Sequence, residues 1–167
     1  VLVRGNHEQM MLDFLDDPTR SAARWLRYGG LQTLASFGIG GATEAMSDGQ
    51  ARRIRDALTI ALGETLINWL RDSRTVFSSG NVHVVHAGAD PALPLHEQSA
   101  DTLTWGHPNF LTRSRSDGQW VVHGHSIVDE VTASGGRIGV DTGAYATGRL
   151  SAAILSPGHF DVISVPD

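Results

Sequence analysis

Four short polar clusters each follow an apolar stretch that reads as a strand. Arg4-Gly5-Asn6-His7-Glu8 follows Val1-Leu2-Val3, and His86-Ala87-Gly88 follows Val82 to Val85. His123-Gly124-His125 follows Trp120-Val121-Val122, and Asp141-Thr142-Gly143 follows Ile138-Gly139-Val140. The chemistry this suits is metal ligation by oxygen and nitrogen: a rigid strand ends, glycine opens the turn, and a side chain is presented to a cleft. The chain has no cysteine, which excludes disulfides, thiolate metal sites and a cysteine nucleophile. One cluster alone would say little; the four together set the reading.

The elements that must carry these clusters change character along the chain. Glu8 to about Asp16 reads as a helix with Met10, Met11, Phe14 and Leu15 on one side. A second helix spans Ser21 to Tyr28 and stops at Gly29-Gly30, and Leu31 to Phe37 makes a short third. Ser47 with Gln50 three residues on is a capping-box pattern, starting a helix with Ile54, Leu58, Ala61 and Leu62 at helical spacing; Leu66 to Arg71 is another short helix. From Thr75 the period becomes strand-like: Thr75-Val76-Phe77, a Gly80-Asn81 turn, then Val82 to Val85. Pro91 to Pro108 reads as loop with a brief helix near Thr102. Strands follow at Trp120 to Val122, Val128 to Ala133, Gly139-Val140, Leu150 to Leu155 and Phe160 to Val165, with Gly135-Gly136 suited to a hairpin turn. A helical half followed by a strand-rich half predicts an α/β or α+β layered domain.

At 167 residues the chain has the length of one domain and can bury a core. Its net charge of −5 leaves no basic footprint, which argues against nucleic-acid or anionic-membrane partners. No apolar run approaches the roughly 18 residues a membrane span needs. Cytoplasm is the default location.

Read in order, Arg4-Gly5-Asn6-His7-Glu8, His86-Ala87-Gly88 and Gly124-His125-Ser126 resemble the third, fourth and fifth motifs of the calcineurin-like metallophosphoesterases. Within them the chain is similar to the branch of bacterial phosphoprotein phosphatases and symmetrical dinucleoside tetraphosphatases. Trp25-Leu26-Arg27-Tyr28-Gly29-Gly30 and the segment from Asp141 to Leu150 look like that branch too. The family's first two motifs, GDxHG and GDxxDRG, have no counterpart here. The chain also opens without methionine, one strand from a motif. The expectation is the C-terminal part of a longer single domain, occupying residues 1–167. The fold implied is a partial αββα sandwich whose first strands are missing, with a helical cap over about residues 21–72. The exposed sheet edge beside Val1 to Val3 would invite self-association, and the piece alone should be weakly active or inactive.

The resemblance implies phosphoester hydrolysis with two divalent ions, manganese first, with iron, zinc or cobalt also suited. Two ions about 3.5–4 Å apart can activate a water and clamp the transferred phosphoryl group. By resemblance Asn6, His86 and His125 each give one ligand to one ion, and His7 is the general acid that protonates the leaving alkoxide. Glu8 reads as a favourable charge in the first helical turn, Arg4 as one half of a structural ion pair, and His123 as a packing group beside the ligand. Distant relatives carry GHxH, but here that last position is Ile127, as in the phosphatase branch. Family members place an arginine shortly after the tryptophan that follows HAG; Trp105-Gly106-His107-Pro108 offers His107 instead. Arg27, Tyr145 and Arg149 are the other candidates for substrate contact.

Each assignment has a plainer competitor. Asn6 could serve only as a helix N-cap, His86 as a histidine bonded to backbone, Arg149 as a solvated charge and Trp25 as core. Asp141-Thr142-Gly143 also matches the aspartic-protease triplet, but a second such aspartate is needed and none is present, so a turn closing a strand is the reading taken. Three functions follow: a serine/threonine protein phosphatase, a symmetrical diadenosine tetraphosphate hydrolase using the same metal site, or a non-catalytic binding or regulatory module. The corresponding partners are a phosphoprotein or a small phosphoester or dinucleotide.

Overall fold

The computed structural model describes residues 1–166 and contains two compact units. One is helical, residues 4–73, and the other holds the sheets, residues 1–3 together with residues 74–166.

In the helical unit, α1 (Asn6–Asp16) buries Met10, Met11, Leu12, Phe14 and Leu15. Phe14 stacks on Trp25 with ring centroids 4.6 Å apart, and both rings are almost fully buried. Trp25 is therefore core, and with Phe14 it anchors α1 on α2 (Pro18–Trp25). Proline opens α2 because its missing N–H costs nothing in a first turn, and the Asp17 carboxylate caps it by accepting from the Arg20 N–H. The chain leaves helical geometry at Tyr28 and Gly29, where the stop was expected, and resumes it in α3 (Leu31–Ser36). α4 (Asp48–Arg71) starts with the reciprocal Ser47 and Gln50 cap that the spacing predicts. It is broken at Gly63, whose φ of 72° and ψ of 157° leave the helix, so residues 48–62 and 64–71 are two segments. Ala51, Leu58, Ile67 and Leu70 are its buried residues; Ala61 points outward, so the expected apolar stripe is shifted.

Among the described residues, Arg4 has no carboxylate partner. Its guanidinium donates to the Arg71 and Ser73 carbonyls at 2.6 and 3.0 Å, to Ser73 Oγ and to Gln9 Oε1. The role is structural, as expected, but the partner is the carbonyl end of α4, where cations are favoured, and not an acidic side chain.

In the sheet unit, β1 (Val76–Ser79) and β2 (Val82–Val85) form an antiparallel hairpin around Gly80, and β2 pairs parallel with β3 (Trp120–His123). β3 pairs parallel with β5 (Arg137–Gly139), which pairs antiparallel with β4 (Ala133–Ser134) around Gly135-Gly136. The order is β1-β2-β3-β5-β4. Val85, Ala89, Leu95, Leu103, Phe110 and Val121 form its core, with Leu103 supplied by α5 (Ala100–Trp105). A separate hairpin, β6 (Leu150–Ser156) and β7 (His159–Val165), completes the unit after the short α6 (Ala144–Thr147).

Two expected strands are shorter than expected. Val1 to Val3 contributes only a single bridge, Val3 to Arg74. Of Val128 to Ala133 only Ala133 is in a strand. The Val128 N–H donates to the Asp141 carbonyl at 2.8 Å, and the Asp129 carbonyl accepts from Arg149 Nη2. These backbone groups are spent on the loop after β5 and cannot join a ladder.

Candidate strand-end site

Parallel pairing sends β2, β3 and β5 the same way, so the residues that follow them gather at one edge. Ligand sites in open α/β sheets form outside such carboxyl ends. His86 follows β2 directly, and the Gly124 N–H donates to the His86 carbonyl at 2.8 Å, extending the β2–β3 ladder past its last strand residues. The His86 and His125 rings stand edge to face with centroids 5.1 Å apart. Two imidazoles expected to share an ion thus meet from two different strands.

His125 is held in an unusual backbone state. Its φ is 63°, and it alone among non-glycine residues has a positive value among those described. The Ser126 N–H reaches back to the Gly124 carbonyl at 2.6 Å, so the chain reverses within three residues, a rare and strained turn with the histidine at its centre. Such strain costs about 1–3 kcal/mol and persists where surrounding structure imposes it, often at functional sites.

Gly88 completes the HAG turn through close approach. A Cβ there would lie 2.5 Å from Phe110 Cδ1 and 2.8 Å from Phe110 Cγ. Phe110 in turn meets the His123 ring edge to face at 4.8 Å. His123 is buried, its Nδ1 is 3.1 Å from the Gly124 carbonyl, and burial pushes its pKa down so that it is held neutral. It behaves as the packing group the sequence suggests.

The turn reading of Asp141-Thr142-Gly143 agrees with the geometry. Asp141 Oδ1 accepts from the Gly143 N–H at 2.9 Å. Buried Thr142 donates to the Arg149 carbonyl at 2.7 Å and sits 2.9 Å from Ser151 Oγ. Asp141 nevertheless packs at the site edge, its Cβ 3.7 Å from where a Gly124 Cβ would stand.

His107 Nδ1 accepts from the Asn109 N–H at 3.2 Å, and Nε2 faces Asp90 Oδ2 at 3.6 Å, so both nitrogens point at protein groups. Asp90, two residues past HAG, was not singled out from sequence; its Oδ1 accepts from the Ala92 N–H at 2.8 Å. Arg149 donates to the Asp129 carbonyl and has a buried Nε without a partner. Tyr145 is 89% exposed and touches nothing that would orient it. Arg27, in the helical unit, pairs with Glu44 at 2.7 Å.

Asn6 and His7 also belong to the helical unit. Asn6 is buried at the first residue of α1, and the N-cap is Gly5, whose N–H donates to Glu8 Oε2 at 2.9 Å. The plain N-cap account of Asn6 is thereby displaced, and Glu8 acts at the helix start as expected. His7 is exposed on the same turn.

Two imidazoles at adjacent strand ends suit a divalent cation. Among the described residues, no group of three or more His, Cys, Asp or Glu side chains is arranged to hold one. No helix among the described residues is long and apolar enough to cross a membrane.

No family model matches the chain, and no curated protein matches it. Among solved structures it is similar to a crystal structure provisionally described as that of a diadenosine tetraphosphatase. The TM-score is 0.50 at 19% identity, over 82% of this chain and 73% of the other. The two share a mixed α/β fold.

Proposed function

We propose that this protein is a metal-dependent phosphoester hydrolase of the protein phosphatase type. The observation that carries the proposal is the His86–His125 pair at 5.1 Å on neighbouring parallel strand ends, with His125 kept in a strained turn. In this reading His86 and His125, with Asn6, hold one of two divalent ions, manganese before iron, zinc or cobalt. Bound ions would supply an activated water and neutralise charge on the phosphoryl oxygens. The residues themselves orient and donate. The Gly124–His86 bond fixes the spacing of the two rings, and His7 gives a proton to the departing alkoxide oxygen as its bond to phosphorus breaks. All three ligands are neutral, so the reading also requires carboxylates to balance the charge of the ions.

Phosphoserine and phosphothreonine proteins are the first substrate class. The tetraphosphatase description of the fold neighbour favours symmetrical cleavage of a dinucleoside tetraphosphate as the second. The test is phosphate release by the full-length protein, with manganese, from a phosphoserine peptide and from diadenosine tetraphosphate. The expected result is metal-dependent turnover of the peptide above that of the dinucleotide. Preference for the dinucleotide selects the second class. Failure on both overturns the proposal and leaves a non-catalytic module.

A further inference from the structure

Between α2 and α3 the segment Leu26–Gly30 is kinked at two residues outside helical geometry, Tyr28 at φ −111° and ψ 51°, and Gly29 at φ 99° and ψ −5°. Gly30 has a packing reason to be glycine, because a Cβ there would lie 2.6 Å from Trp25 Cδ2 and 2.8 Å from the Trp25 carbonyl oxygen. Gly29 has a different neighbour. The point where its Cβ would stand is 3.3 Å from His7 Nδ1 and 3.5 Å from His7 Cε1, and beyond its chain neighbours no other described side chain lies within 4 Å. The kink thus brings bare backbone against one imidazole.

We propose that Gly29 is a positioning residue for His7. An exposed histidine on a first helical turn can choose among several staggered rotamers. Backing by the Gly29 backbone removes some of them, keeps the Nδ1 edge against the turn and leaves the Nε2 edge outward. This rests on the reading of His7 as general acid, for which reach to the leaving oxygen must be about 2.6–3.2 Å. Any side chain at residue 29 would press on the ring, and a misplacement of about 1 Å can cost roughly 100-fold in rate.

Two arms test this. In the first, NMR of the histidine-labelled 167-residue chain should show an Overhauser contact between Gly29 Hα and His7 Hε1. Gly29→Ala should shift the His7 ring signals and leave those of His86 and His125 in place. Gly41→Ala is the matched control, since Gly41 also has a left-handed φ of 81° but open space around its Cβ position; it should leave His7 unmoved. In the second arm, Gly29→Ala in the full-length protein should lower kcat on a phosphoserine peptide by about 10–100-fold, and less on p-nitrophenyl phosphate, whose leaving group needs little protonation. In a His7→Ala background the same change should do nothing further. Absence of the wild-type Overhauser contact, which needs no variant to fold, overturns the proposal, as does an undiminished Gly29→Ala effect without His7. Absence of hydrolysis by wild type would sink the general-acid reading alone, and the NMR arm would still decide the ring's placement.

Discussion

The backbone at His125 makes a prediction whose sign is unusual. At an ordinary helix or strand position, glycine is less stable than alanine by about 0.5–1 kcal/mol, because its unfolded chain has more freedom to lose. At φ 63° an L-residue instead carries about 1–2 kcal/mol of left-handed strain that glycine does not feel. Set against each other, these effects leave His125→Gly more stable than His125→Ala by about 0–1.5 kcal/mol, centred near about 0.75 kcal/mol. Both variants lose the imidazole and its contact with His86 at 5.1 Å, so their difference isolates the backbone. In a chain of this length about 1 kcal/mol corresponds to 2–4 °C in Tm. Urea and thermal unfolding of the two variants side by side measure it, with equal m-values required for the comparison. If alanine proves more stable than glycine, the turn is not strained at His125. Surrounding structure would then not be imposing the histidine's position.

Three further outcomes follow from particular contacts. Gly88→Ala should destabilise by about 1–3 kcal/mol through overpacking, because the buried Phe110 ring stands 2.5 Å from the new Cβ; a loss under half of that, by denaturant unfolding, would contradict the close approach. Asp117→Asn should cost about 0.5–1 kcal/mol, since it removes the half-exposed carboxylate beside the buried Arg115 guanidinium while the Asp90 and Leu93 carbonyls remain as acceptors. The hydrogen bond from Arg115 holds Asp117 below the usual carboxylate range, so this contribution is present above pH 4 and fades as pH falls through the lowered folded value. A pH series of unfolding curves should show wild type and Asp117→Asn converging in acid. Ser47→Ala should cost about 1 kcal/mol by loss of the α4 cap, read by thermal melting, and an unchanged melt would mean that the cap frays in solution.

The parts legible in the sequence were those fixed by local chemistry. Ser47 and Gln50 cap α4 as their spacing requires, the Met10, Met11, Phe14, Leu15 stripe marks α1, whereas α2 begins at Pro18 and not at the expected Ser21, and the apolar runs before His86 and His125 are neighbouring strands of a parallel pair. What the sequence hid depends on partners far along the chain. Nothing near Val128 says that its N–H will bond to the Asp141 carbonyl and so leave the ladder. The stop expected at Gly29-Gly30 agrees with a backbone that leaves helical geometry at Tyr28 and Gly29, but the pattern could not show that Gly30 packs on Trp25 and Gly29 on His7. Nor does His123-Gly124-His125 reveal which histidine is buried and which is strained; the Phe110 contact and the strand register decide that. Arg4 was expected to seek a carboxylate, whereas helix-end carbonyls serve it better.

The most direct test of the proposed site is manganese-dependent phosphate release by the full-length protein, compared with its His86→Asn and His125→Asn variants. Loss of even an outer partner of a metal ligand typically costs 10–100-fold, so removal of either imidazole should lower turnover by at least about 100-fold. Added manganese should recover part of the loss, and both variants should remain folded by circular dichroism. Turnover undiminished in either folded variant would contradict the assignment of the strand-end pair.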